Sequence, residues 1–257
     1  MARLSVNVNK IALLRNTRRT GVPDLLRLAA LAHEAGAHGL TVHPRPDQRH
    51  IRGEDVYRMA ELMAPWRPDF EFNIEGYPDA RFLDLIAEIR PEQCTLVPDA
   101  PGVLTSDEGW RLDAAQRPIV RDAVAALHGS GCRAILFVDP DPEVVSRAQD
   151  SGADGIEIYT GGYAAACREG RPEEMLHLCA ATAAEAARLG LVVNVGHDLN
   201  LDNLPALVSA MPTLSEASIG HELTADALIM GWSAAIDAYR DALALTGRRG
   251  SFGASHG

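Results

Sequence analysis

The residues best suited to chemistry in this sequence follow a short apolar run near residue 40. Leu40, Thr41 and Val42 are typical of the end of a buried strand, and the two prolines that follow prevent the strand from continuing. Titratable and cationic side chains crowd the next ten residues: His43, Arg45, Arg49, His50 and Arg52. In an α/β fold, a strand end with a titratable group among cations is where an anionic substrate binds. We therefore predict an anion site at residues 39–52.

Other polar residues follow apolar runs at regular intervals. If each run is a parallel strand, the side chains at the strand ends gather at one mouth of the fold. The predicted strand-end residues are Asn7, Asn9, Lys10, His43, Arg45, Asn73, Glu75, Pro98, Asp99, Asp139, Glu157, Tyr159, Thr160, Asn194, His197, Gly220 and His221. Histidines, carboxylates and a lysine around one mouth form a general acid/base set, because burial and mutual interaction bring their pKa values toward neutrality.

Two of the glutamates are expected to point into the interior. Glu75 lies in the segment FNIEG, where strand alternation directs residues 73 and 75 inward. An inward carboxylate is costly unless it is used or paired, which favours a functional role for Glu75. Glu157 shows the same alternation, and a purely structural ion pair remains an alternative for it.

Lys10 is the only lysine in the chain. Its alternatives are a solvated side chain, a phosphate or carbonyl contact, or an imine-forming amine. The loops predicted after strands 1 and 2 also carry six arginines that could grip phosphate bidentately: Arg15, Arg18, Arg19, Arg45, Arg49 and Arg52. We expect two or three of them to do so, with Arg49 and Arg52 solvated.

Two turns and one long loop complete the predicted site. GHDLN (196–200) and GHELT (220–224) each place Gly-His at a strand end, where backbone N–H groups can hold phosphate. Helix N-caps are the alternative role for Asp198 and Glu222. The loop at 96–113 has the length of a lid, so Thr105 and Ser106 could close over a phosphate.

The elements that position these residues alternate throughout. Apolar runs predict strands at 4–8, 39–42, 70–74, 95–97, 134–138, 155–159, 192–195 and 217–219. Segments with helical periodicity lie between them, at 23–37, 54–66, 79–90, 120–131, 142–152, 173–190 and 225–245. Eight such units in one chain of this length are typical of a (β/α)₈ TIM barrel. We predict a single domain at 1–246 and a flexible tail at 247–257.

Composition limits the possible partners. The formal charge of −11 over 257 residues argues against binding to nucleic acid or an anionic membrane. No apolar run approaches the roughly 18 residues of a membrane span, and no signal segment is apparent, so we expect a cytoplasmic protein. The four cysteines show no CxxC pairing and are expected to be structural thiols: Cys94, Cys132, Cys167 and Cys179.

Seven of these motifs in combination resemble one known family. The segments are VNVNKIALLRNTR, TVHPRPDQRHI, FNIEG, LVPDAPGVLTSDEGW, IEIYTGGYA, VNVGHDLN and SIGHELTADAL, and the resemblance runs over about residues 4–245. Together they resemble the pyridoxine 5′-phosphate synthases, ring-closing enzymes of deoxyxylulose-dependent vitamin B6 biosynthesis. The resemblance implies a (β/α)₈ barrel with additional helices, assembled as a homo-octamer, that needs no metal or organic cofactor. It also implies two phosphorylated substrates, 1-deoxy-D-xylulose 5-phosphate and 3-amino-2-oxopropyl phosphate.

The same resemblance implies roles for individual residues. His43 and Glu75 match the general bases of the family, and His197 matches its proton donor. The aminoketone phosphate would be held by Asn7, Arg18, Asp198, Gly220 and His221. The deoxyxylulose phosphate would be held by Asn9, Lys10, Arg45, His50 and Thr105, and Glu157 is included among the substrate-binding residues.

One departure and two alternatives remain open. Many members of the family carry Asp-His where this chain has Asn9 and Lys10, so the contacts of that pair are in question. A Schiff-base aldolase or lyase that uses Lys10 is the competing enzyme class. A phosphosugar-binding barrel without activity is the non-catalytic alternative.

Overall fold

The chain folds into a closed parallel barrel. The computed structural model describes residues 1–99 and 108–244. Its strands are β1 (Arg3–Asn7), β2 (Gly39–Val42), β3 (Glu71–Gly76), β4 (Gln93–Leu96), β5 (Arg133–Val138), β6 (Gly155–Tyr159), β7 (Val192–Gly196) and β8 (Leu214–Ile219). Each strand pairs in parallel with the next, and β8 pairs back with β1. The predicted (β/α)₈ TIM barrel is confirmed.

Additional helices accompany three of the crossovers. The helices are α1 (Asn9–Asn16), α2 (Leu25–Glu34), α3 (Gly53–Met63), α4 (Ala80–Ile89), α5 (Gln116–Gly129), α6 (Pro142–Asp150), α7 (Gly161–Arg168), α8 (Glu173–Arg188), α9 (Leu204–Ala210), α10 (His221–Met230) and α11 (Trp232–Leu243). The connections after β1, β6 and β8 each hold two helices, which confirms the implied additional helices. Within the described ranges, no helix is both long and apolar enough to cross a membrane.

Two segments differ from the sequence-based expectation. The helix predicted at 225–245 is wrong as a single element, because Gly231 separates α10 from α11 with a φ of +88° that favours glycine. The loop expected after β1 begins with α1, which starts at Asn9, so Asn9 and Lys10 belong to the first turn of a helix. The predicted tail at 247–257 lies outside the described residues, and the domain limits stay a prediction.

Alternation along the strands creates two different environments. Outward residues such as Phe72 and Ile74 pack between the barrel and its helices and are fully buried. Inward residues are largely polar and hydrogen-bond across the lumen: the Ser5 and Thr41 hydroxyls lie 2.7 Å apart, and Asn73 Nδ2 donates to Thr41 Oγ1 at 3.2 Å. The lumen is therefore a polar network inside an apolar shell.

Arg15 was expected to be available for phosphate, and the structure shows a different role. Its Nη1 and Nη2 atoms contact Asp55 Oδ1 and Oδ2 at 2.5 and 2.8 Å, and both side chains are buried. The Arg52 N–H also donates to Asp55, at 2.8 Å. This ion pair fastens α1 to α3, so Arg15 is a structural residue.

We predict that Asp55→Ala lowers the free energy of unfolding by about 3 kcal/mol, since it leaves a buried guanidinium without its counter-charge. The measurement is the denaturant midpoint at pH 7. Glu185→Ala is the control, because Glu185 pairs with Arg188 on the exposed surface and its loss should leave the midpoint unchanged. Equal midpoints for Asp55→Ala and the wild type would contradict the prediction.

Candidate active site

A cavity of about 520 Å³ opens at the carboxyl ends of the strands. Twelve of the fourteen predicted site residues line it: Asn7, Asn9, Lys10, His43, Arg45, His50, Glu75, Glu157, His197, Asp198, Gly220 and His221. Arg18 is exposed just after α1 and does not line the cavity. Thr105 lies outside the described residues. The fold thus brings together residues that are up to 214 positions apart in the chain, from 7 to 221.

His43 and Glu75 form the closest acid/base pair in the cavity. Adjacent strands are in register from Thr41 opposite Asn73 to Val42 opposite Ile74, and one further step places His43 opposite Glu75. His43 Nδ1 lies 3.7 Å from Glu75 Oε2, and both residues are buried. This distance permits an ionic interaction and exceeds that of a direct hydrogen bond.

Burial shifts the pKa values of these two groups in opposite directions. It raises the pKa of Glu75 to about 7, a rise that the charge of Arg45 opposes and that of Asp99 supports. Burial also lowers the pKa of His43 well below its ordinary value, and the Arg45 charge acts in the same direction. At neutral pH, His43 is an uncharged imidazole and Glu75 is divided between its two forms. The ionised form of Glu75 can therefore accept a proton near neutral pH, while His43 presents a free nitrogen that accepts a proton only from a stronger acid.

His197 occupies a strained turn at the end of β7. Its φ is +82°, and that of the following Asp198 is +56°, a backbone region that costs energy for residues with a Cβ. The Thr160 hydroxyl holds the turn by donating to the His197 carbonyl at 2.6 Å. The ring packs against Phe137 and Tyr159, with centroids 5.0 and 5.2 Å away. These contacts fix the imidazole on the side of the mouth opposite β2 and β3.

The His197 imidazole is also nearly free of charge at neutral pH. Burial lowers its pKa, and the carboxylate of Asp198 opposes that change. A neutral ring of this kind has one nitrogen that donates and one that accepts. It can therefore accept a proton at the free nitrogen, and it becomes a proton donor once it has done so.

The start of α1 forms a corner of the cavity beside His43. The backbone N–H of His43 donates to Asn9 Oδ1 at 2.9 Å, and the backbone N–H of Asn9 donates to Asn7 Oδ1 at 3.0 Å. Gly220 packs so closely that a Cβ there would lie 2.9 Å from the Asn7 carbonyl oxygen. Lys10 follows in the first turn of α1 and lines the same cavity.

The loop after β2 forms the adjoining, cationic wall. Arg45 pairs with Asp99 at 2.6 Å, and both are buried. Burial lowers the pKa of His50 to about 4, with the charge of Arg45 the next largest cause. Arg49, expected to be solvated, lines the cavity and pairs with Asp47 at 2.5 Å. It also lines an adjoining cavity of about 160 Å³ together with Arg45 and Arg81.

Ser218 and Leu13 are among the lining residues that received no role from the sequence. Ser218 points into the cavity from β8, and its buried Oγ has no hydrogen-bond partner among the described residues. Leu13 reaches the cavity from α1, a helix that the sequence did not indicate. Ser218 alternates with Glu216 and Gly220 along β8 and just past its end, so strand alternation could have predicted that it points inward. No group of three or more His, Cys, Asp or Glu side chains within the described ranges is placed to hold a metal ion.

Solved structures share the architecture. The chain is similar to the thiamine phosphate pyrophosphorylase of Pyrococcus furiosus, with a TM-score of 0.59 and 12% identity, covering 96% of this chain and 97% of that one. It is also similar to the phosphoribosyl anthranilate isomerase of Thermotoga maritima, with a TM-score of 0.58 and 12% identity, covering 95% and 98%. At this level of identity the likeness shows the fold alone.

Sequence comparison is much more specific. A protein named pyridoxine 5′-phosphate synthase from Porphyromonas gingivalis is 51% identical over 245 residues, covering 95% of this chain and 100% of the relative. One of the same name from Albidiferax ferrireducens is 49% identical over 244 residues, covering 92% and 95%. The sequence model of the family described as pyridoxal phosphate biosynthesis protein PdxJ matches residues 4–245. The chain therefore belongs to the PdxJ family and is an enzyme of vitamin B6 biosynthesis.

Proposed function

We propose that this enzyme condenses 1-deoxy-D-xylulose 5-phosphate with 3-amino-2-oxopropyl phosphate to form pyridoxine 5′-phosphate, inorganic phosphate and water. The observation that carries the proposal is the convergence of three proton-transfer groups, His43, Glu75 and His197, on one cavity. Imine formation, dehydration and ring closure require successive proton transfers, which such a set can perform in turn. The names of the relatives support the same reaction.

In this reaction Glu75 and His43 act as bases and His197 as the proton donor. Glu75 takes a proton from carbon or nitrogen of the joined substrates, since its pKa of about 7 lets it both accept and return a proton at neutral pH. His43 lies within 3.7 Å and accepts the next proton as an uncharged imidazole. His197 takes up a proton released in an earlier step and then protonates the leaving oxygen from the other side of the mouth.

The phosphate groups of the two substrates bind at separate parts of the cavity rim. The Gly220–His221 turn and Asp198, with Asn7 beneath them, hold the aminoketone phosphate. The corner formed by Asn9 and Lys10, together with Arg45 and His50, holds the deoxyxylulose phosphate, and Glu157 is a further substrate-binding residue. Arg18 and Thr105 complete the proposed set, Arg18 from outside the cavity wall seen here.

The function predicts a specific result with the purified protein and both substrates. We expect stoichiometric release of phosphate and appearance of the absorbance of the pyridine ring. His43→Ala, Glu75→Gln and His197→Ala should each lower kcat by about 10²-fold or more, the scale of a positioned proton-transfer group. Glu88→Gln, a carboxylate change on the exposed end of α4, is the matched control and should retain full turnover.

Borohydride reduction distinguishes the aldolase alternative. The proposed imine joins the two substrates, so reduction should leave Lys10 unmodified in the peptide map. A covalent adduct at Lys10 would support the aldolase class. No phosphate release, with substrates bound and the protein folded, would favour a binding barrel and remove the proposed reaction.

The raised pKa of Glu75 also predicts that an increase in pH has opposite effects on activity and on stability. Because the base must be ionised, kcat/KM of the wild type should fall roughly tenfold per pH unit below about pH 7. Folding raises the pKa of Glu75 from the ordinary value of 4.5 to about 7. Ionisation of Glu75 therefore lowers the free energy of unfolding as the pH rises from the first value through the second. Glu75→Gln should therefore raise the denaturant midpoint at pH 8 and leave it unchanged at pH 4. Equal midpoints at pH 8 would show that burial does not penalise this carboxylate.

We further propose a cytoplasmic homo-octamer. The four cysteines are free thiols, as a reducing compartment keeps them. Apolar side chains at the end of α10 support the assembly: Leu228 and Ile229 are 79% and 87% exposed. We predict that Leu228→Asp combined with Ile229→Asp lowers the mass measured by light scattering below that of the octamer. Ile119→Asp on α5 is the control, and an unchanged mass for the double variant would exclude this surface from the contacts.

A further inference from the structure

Three further glutamates lie in the lumen at and below the floor of the cavity, and none of them is one of the three proposed proton-transfer groups. Glu71 is paired with Arg3 and Arg133 at 2.9 and 2.6 Å. Glu157 and Glu216 are equally buried, and neither has an arginine, lysine or histidine nitrogen within 4.0 Å among the described residues. Two buried carboxyls without counter-charges must hold at least part of a proton between them.

Asn194 lies between these two carboxyls. Strand register places it opposite Glu157 on β6 and opposite Glu216 on β8, and the three residues are 1%, 2% and 4% exposed, respectively. Its Nδ2 donates to Gln93 Oε1 at 3.3 Å, while its buried Oδ1 meets no donor in the part of the chain that the structure describes. A protonated carboxyl on either side supplies the missing donor.

The surroundings decide which carboxyl holds the proton. Glu216 accepts a hydrogen bond from Gln93 Nε2 at 3.1 Å, which favours the ionised form. Glu157 has a weaker contact, with the Thr95 hydroxyl at 3.4 Å, and it lies near the charge of Glu75. The proton therefore resides on Glu157.

The charges around both groups agree with this assignment. Glu216 is faced from the other strands by Arg3, Glu71, Gln93, Arg133, Glu157 and Asn194. Burial raises the pKa of Glu216 to about 7, Glu71 adds to the rise, and the two arginines restrain it. Burial followed by the charges of Glu75 and Glu216 raises the pKa of Glu157 well above its ordinary value.

We propose that Glu216 is a positioning residue of the active site, whose carboxylate keeps Glu157 protonated and hydrogen-bonded to Asn194. Glu157 then lies beside Glu75 as a neutral acid and adds no second negative charge when Glu75 ionises as the base. The importance of this for turnover rests on the proposed function. The protonation of Glu157 itself does not depend on the proposed function.

Infrared difference spectroscopy of the full-length protein without substrate tests the assignment. The wild type should show a C=O stretching band of a buried protonated carboxyl at pH 8, and Glu157→Gln should remove it. Glu216→Gln keeps the shape and the Gln93 contact but removes the charge, so the band should titrate about one pH unit lower or more. Glu88→Gln removes an exposed charge on α4 and should leave the pH midpoint of the band's titration unchanged.

Two results would overturn the inference: a band that survives in Glu157→Gln, or an unchanged midpoint in Glu216→Gln. If Glu216→Gln does not fold, Asn194→Ala replaces it, because loss of the acceptor should also lower the midpoint. The spectra need no substrate, so a failed synthase assay with this infrared result would reject the function alone. A positive assay with an unchanged midpoint would reject the role of Glu216 alone.

Discussion

Burial of ionisable side chains inside a closed barrel is the constraint on which the site depends. Transfer from water penalises the charged form of any group, so it raises the pKa of the Glu75 carboxyl and lowers that of the His43 imidazole. One physical cause thus reverses the usual order of the two pKa values, so that the carboxyl holds its proton more tightly than the imidazole does. A closed sheet has no open edge through which solvent could undo this effect.

The same constraint gives three glutamates of similar orientation different chemistry. Glu71 and Glu75 point inward from one strand, yet Glu71 meets two arginines at the lower end while Glu75 faces the cavity. Glu157, at a level close to Glu75, has a hydroxyl and an amide as neighbours and no cationic nitrogen within 4.0 Å in the described part of the chain. Environment alone therefore separates an ion-paired carboxylate, a carboxyl with a pKa of about 7 and a carboxyl whose pKa is raised well above its ordinary value.

The regular pattern of apolar and polar residues explains why much of the fold and of the candidate site could be predicted from the sequence. Apolar runs located all eight strands, and alternation along two of them correctly directed Glu75 and Glu157 inward. Failures arose where tertiary contacts decide the outcome. The role of Arg15 depends on Asp55, forty positions away, and no local pattern reports such a pair. α1 was missed because its eight residues are short for a periodic signal, and the break at Gly231 was missed because the flanking residues are all helical in character.

The contacts of Asn9 also account for the departure from the Asp-His that many family members carry. Its side-chain oxygen accepts a hydrogen bond from the backbone N–H of His43, and a carboxylate oxygen in the same place would accept that hydrogen bond equally well. The exchange of Asp for Asn therefore preserves the support of the base. What changes is charge: an amide and an ammonium replace an acid and an imidazole, so this corner becomes more positive. The charge of Lys10 already contributes to the lowered pKa of His50, after burial and Arg45. A more cationic corner strengthens attraction for a phosphorylated substrate while keeping His50 neutral, which lets it donate or accept a hydrogen bond at the rim.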